Sequence, residues 1–76
     1  MSADRLVQMA NDISEFFGGE PKRADAIAAI ANHLQRFWDP RMRRKILAHL
    51  RAGGEGLNDL SREAVESLPP VGPPRV

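Results

Sequence analysis

A chain of 76 residues, 42% hydrophobic and 28% charged with a net charge of +1, has material for one domain with one modest core. The absence of cysteine excludes disulfides, iron–sulfur ligation, thiolate zinc sites and thiol chemistry within it. No apolar run approaches the roughly 18 residues that a membrane-spanning helix needs. The opening Met1-Ser2-Ala3-Asp4-Arg5 has neither the charged head nor the apolar stretch of a secretory leader. A cytoplasmic protein is therefore the expectation.

The periodicity of the apolar residues predicts an all-α domain over residues 1–68, a small bundle of three to four short helices, followed by a disordered Pro-rich tail at 69–76. The first helix is expected over about 3–17, with Ser2 as its N-cap and Asp4 favourable in its first turn. Leu6, Met9, Ala10, Ile13, Phe16 and Phe17 fall on one stripe about 120° wide. Gly18 and Gly19 are expected to stop this helix through a left-handed residue. The second helix, about 21–38, opens on Pro21 and carries Ala24, Ile27, Ile30, Ala31, Leu34, Phe37 and Trp38 on its apolar side. Asp39-Pro40 ends it and caps a third helix at 40–52, which presents Met42, Ile46, Leu47 and Leu50. After Gly53-Gly54 a short fourth segment, 58–68, places Leu57, Leu60, Ala64, Val65 and Leu68 on one side, with Asn58 as its cap.

The charge is unevenly spread. Residues 1–35 carry a net −2, residues 36–52 a net +5 from Arg36, Arg41, Arg43, Arg44, Lys45 and Arg51 against Asp39, and residues 53–76 a net −2. Cations at the start of a helix oppose its macrodipole by about 0.3–1 kcal/mol each when exposed. Yet four of these six stand in the first turns of the third helix. Local chemistry that works against stability marks a functional candidate. Phe37, Trp38 and Met42 adjoin the cluster, and Arg, aromatics and Met together are the composition of an interface centre. The competing reading makes the arginines a solvated face and Trp38 the closure of the bundle corner.

Catalytic constellations are not legible. His33 and His49 lie on different helices without cysteine partners, and helix packing explains them better than metal ligation. The acidic residues are spread over solvent faces, and Ser2, Ser14, Ser61 and Ser67 have no adjacent base. The Gly53-Gly54-Glu55-Gly56 loop follows a helix and lacks the Gly-Lys-Ser/Thr ending of a phosphate-binding loop, so it reads as a linker. Two non-enzymatic readings remain. One is a small nucleic-acid-binding protein using the basic third helix, against which stand the low net charge and the acidic flanks. The other is a helical subunit that docks its Arg/Trp corner on a larger protein.

The run Ile30-Ala31-Asn32-His33-Leu34-Gln35-Arg36-Phe37-Trp38-Asp39-Pro40-Arg41-Met42-Arg43, followed by Leu47 to Leu50 and Ala52 to Leu57, resembles the delta subunit of NAD-dependent formate dehydrogenase. Met9, Asn11, Ile13 and Phe16 fit the opening helix of the same family. The resemblance implies a cofactor-free accessory subunit of a soluble enzyme that oxidises formate with NAD⁺. In such a complex the alpha subunit would carry a molybdenum or tungsten pterin and iron–sulfur clusters. The beta and gamma subunits would pass electrons through FMN and further clusters to NAD⁺. The partner implied is the alpha subunit, with neither nucleic acid nor membrane involved. The residues expected to bind it are Arg36, Phe37, Trp38, Asp39, Pro40, Arg41, Met42, Arg43 and Arg44.

Overall fold

A computed structural model describes residues 2–71. Its regular elements are four helices and, among the described residues, no strand: α1 (Ala3–Phe17), α2 (Arg23–Phe37), α3 (Pro40–Arg51) and α4 (Asp59–Glu66). The all-α bundle expected from the periodicity is what forms.

Three of the four helices start on a side-chain cap. Ser2 accepts the backbone N–H of Arg5, Asp39 that of Met42 and Asn58 that of Ser61, each satisfying one donor that the first turn leaves open. α2 starts differently. Pro21 lies outside the helix, the N-cap is Lys22 and no side chain caps it, so the helix begins two residues later than proline at the first helical position would place it. Asp25 in the first turn and an ion pair from Arg23 to Glu63 of α4 support this end instead.

The ends also differ from expectation in one respect. Gly18 closes α1 with right-handed geometry, φ −66° and ψ −10°, and the chain leaves through a single turn bond from Glu20 N–H to the Phe17 carbonyl. A left-handed residue is therefore not needed there. At the end of α3 it is: Gly53 (φ 121°) and Gly54 (φ 66°) follow the Ala52 C-cap. The Gly54 N–H reaches the His49 carbonyl (2.9 Å) and the Gly53 N–H the Leu50 carbonyl (3.0 Å), the paired bonds of a Schellman motif.

α1 packs against the other three helices, and α4 also lies on α2 and α3. Leu6, Ala10, Ile30, Leu34, Ile46, Ala64 and Val65 are fully buried in one cluster, which Val7, Trp38, Leu57 and Leu68 complete. The expected stripes are corrected at five positions, one of them Ala26, which is buried though outside the expected stripe. Phe16 and Phe37 are exposed at 82% and 68%, Ala24 is exposed, and Val7 is buried in their stead. Phe17, one helical step of about 100° from Phe16, takes the half-buried place, whereas Trp38 leaves α2 on an extended backbone (φ −88°, ψ 134°) and is buried while Phe37 stays outside. Ser61 is buried inside α4, and its hydroxyl donates to the Ala10 carbonyl across the α1–α4 contact (3.1 Å). Pro69 and Pro70 are exposed outside any helix, and the rest of the tail, 72–76, lies outside the described residues.

Candidate functional site

The basic corner is built by the step from α2 to α3. Proline at 40 disfavours helical geometry at Asp39, which is extended at φ −73° and ψ 167°. Trp38 before it is extended as well (φ −88°, ψ 134°), while its N–H still bonds the Leu34 carbonyl at 3.0 Å. Two extended residues turn the chain sharply, and the Asp39 carboxylate then caps α3 by accepting the Met42 N–H at 2.9 Å.

This geometry divides the nine residues that the sequence singles out. Trp38 faces inward, 5% exposed and part of the core cluster. Met42 is half-buried against that core and, with Leu6, Asp39, Arg41 and Lys45, lines a shallow cleft of about 190 Å³. Arg43 is half-buried, and its Nε–H donates to the Trp38 carbonyl at 3.1 Å. That guanidinium thus sits at the carbonyl end of α2, where a cation is favoured, and part of the apparent conflict with the α3 dipole is resolved inside the fold. Arg36, Phe37, Asp39, Pro40 and Arg41 remain exposed, and Arg44 is half-buried. The outward part of the corner is therefore Arg36, Phe37 and Arg41 on the rigid Asp39-Pro40 turn. The Arg36 and Arg41 guanidinium groups can engage carboxylates or backbone carbonyls of another protein, and the Phe37 ring an apolar side chain.

A second feature lies outside the apolar stripes. The rings of Phe16, Phe17, His33 and Phe37 form a ladder across α1 and α2. Successive centroids are 5.1 Å apart (Phe16–Phe17, edge to face), 6.0 Å (Phe17–His33) and 4.7 Å (His33–Phe37). The signal that could have found it is the i, i+4 spacing of His33 and Phe37, which puts both rings on one face of α2. His33 is thus a packing residue.

His49 places Nε2 2.8 Å from the Glu55 carbonyl. Among the described residues, no group of three or more His, Cys, Asp or Glu is arranged to hold a metal. The Gly53–Gly56 loop is consumed by internal bonds. Arg62 forks onto the Gly53 and Gly54 carbonyls (3.1 and 3.0 Å), and the Asn11 amide donates to the Gly56 carbonyl (2.9 Å). The Gly53 and Gly54 N–H groups are engaged as well, in the cap of α3. None of the helices of the described residues is long and apolar enough to cross a membrane.

Compared with known proteins, the chain matches the family model described as NADH-dependent formate dehydrogenase delta subunit, FdsD, over residues 5–65. No curated protein and no solved structure matches it.

Proposed function

The chain belongs to the delta-subunit family of NADH-dependent formate dehydrogenase, FdsD, and on that premise we propose that it is a non-catalytic accessory subunit of such an enzyme. It supports assembly, stability or cofactor maturation of the catalytic alpha subunit by docking the basic corner on it. The observation that carries this reading is the division of the corner. Trp38 and Arg43 lock the α2–α3 turn from inside, and Arg36, Phe37 and Arg41 stand outside on it. A turn fixed by Pro40 and by the Asp39 cap sets the backbone that carries these side chains before contact, so less backbone entropy is lost on docking.

The redox groups that the resemblance implies belong to the other subunits in this reading: the molybdenum or tungsten pterin on alpha, with iron–sulfur clusters, FMN and NAD along alpha, beta and gamma. This chain has no cysteine to offer a cluster. Its contribution is surface.

The test is co-expression with the alpha, beta and gamma subunits, comparing wild type, Arg36→Glu/Arg41→Glu and Phe37→Ser. All three side chains are exposed, so the variants should keep wild-type helicity. The expected result is that the double charge reversal lowers co-purification at least tenfold and depresses formate oxidation with NAD⁺. Full retention and full activity in both variants would sink the docking corner. Arg43→Glu is a poorer probe, because it also removes the bond to the Trp38 carbonyl.

A further inference from the structure

We propose that the ring-lined cleft between α1 and α2 is a second docking site, which receives an apolar side chain from a basic segment of another subunit of the same enzyme. The proposal rests on the accessory-subunit reading and adds a surface that the corner does not contain.

Phe16 and Phe37 are the large hydrophobic side chains that stand exposed among the described residues, at 82% and 68%. Single exposed apolar residues are ordinary on a soluble protein, but these two are the ends of one continuous ladder through Phe17 and His33. Beside it opens a cleft of about 260 Å³ lined by Asp12, Ile13, Phe16, Phe17 and His33. That is below the range of cofactor and small-molecule sites, roughly 300–1,000 Å³, and suits a protein side chain better than a bound cofactor.

Charge selects the occupant. Asp12 is the one carboxylate in the lining, and Glu15, next to Phe16 in sequence, is exposed on the same helix. Residues 1–35 carry a net −2, opposite in sign to the corner. An apolar side chain flanked by Lys or Arg satisfies both the rings and the Asp12 carboxylate at their edge. A second copy of the chain placing its own cleft here would set Asp12 against its counterpart, so a different polypeptide is the better fit. Phe37 adjoins Arg36, so a partner seated on the corner runs directly onto the ladder.

The experiment uses the co-expressed complex with Phe16→Ser, Asp12→Lys and the corner variant Arg36→Glu/Arg41→Glu, together with circular dichroism and sedimentation of each isolated chain. Because Phe16 and Asp12 are exposed, the isolated variants are expected to fold like wild type. In the complex, each should lower the amount of co-purified chain at least fivefold. If both are retained at the wild-type level while the corner variant is lost, the cleft proposal falls and the accessory-subunit reading stands. If the wild-type chain itself does not co-purify, both fall. If the isolated wild type is a dimer that Phe16→Ser disperses, the cleft pairs copies of this chain and the proposal is overturned.

Discussion

Asn58 does three things at once. Its side-chain oxygen caps α4 by accepting the Ser61 N–H (2.8 Å), its amide donates to the Ser14 hydroxyl (2.7 Å), and its own N–H donates to the Asn11 side chain (3.0 Å). Ser14 in turn donates to the Asn11 carbonyl (2.8 Å), and Asn11 holds the Gly56 carbonyl. Polar groups from α1, the loop and α4 thereby satisfy one another at an edge of the core, and no buried side-chain nitrogen or oxygen is left unpaired among the described residues. Asn58→Ala should destabilise the chain by about 2 kcal/mol, the loss of a cap together with one side-chain bond. Urea denaturation measures this, and a change below about 0.5 kcal/mol would mean that the network is idle. Trp38 is the other residue tied into the core, at 5% exposed. Trp38→Ala opens a cavity beneath the corner and should cost about 3–5 kcal/mol, enough to unfold much of a domain this small, whereas Trp38→Phe should cost less.

At the scale of the elements, the caps were the most legible part of the sequence. Ser2, Asp39 and Asn58 each stand just before an apolar periodic run, and each accepts the bond that its position predicts. Proline and paired glycines located the α2–α3 corner and the end of α3 because they restrict or free φ directly. What periodicity could not show was which of two neighbouring aromatics turns inward. At Phe16-Phe17 that choice follows the packing of α1 on α2, where Phe17 meets His33, and at Phe37-Trp38 it follows the extended backbone of Trp38. The same limit hid the ring ladder, and it hid Ser61, whose burial depends on the Ala10 carbonyl lying opposite. Glycine meaning is equally local. Gly56 sits at φ 89°, and an added Cβ would stand 3.2 Å from the Val7 side chain, so Gly56→Ala should destabilise by about 1–3 kcal/mol. Gly19 has neither a positive φ nor a neighbour within 4 Å, and Gly19→Ala should be neutral or stabilising by up to about 1 kcal/mol. Thermal unfolding of the two variants side by side checks the contrast, and equal shifts would refute it.

For the molecule as a whole, the net charge of +1 is the least informative figure, since a +5 segment lies between two acidic ones. Charges of opposite sign in separate segments of one small domain can give a partner an orientation as well as an affinity. Docking through exposed arginines should weaken as salt rises, because the screening length falls from about 10 Å at 0.1 M to about 3 Å at 1 M. Co-purification at the two salt concentrations tests this, and salt-independent retention would point to an apolar interface alone. The rival nucleic-acid reading makes its own demand, salt-sensitive binding of DNA or RNA by the isolated chain. Docking also stabilises the folded chain by mass action, by about 2.7 kcal/mol at a partner concentration of 100 Kd.

The sequence contains one tryptophan and no tyrosine, and that tryptophan is buried at the α2–α3 turn. The chain therefore carries a single intrinsic fluorophore, placed under the surface assigned to the partner yet shielded from water. Its emission should shift to the red when the corner opens and stay in place when only the exposed arginines are changed. Loss of fold and loss of docking can thus be separated optically in an unlabelled protein.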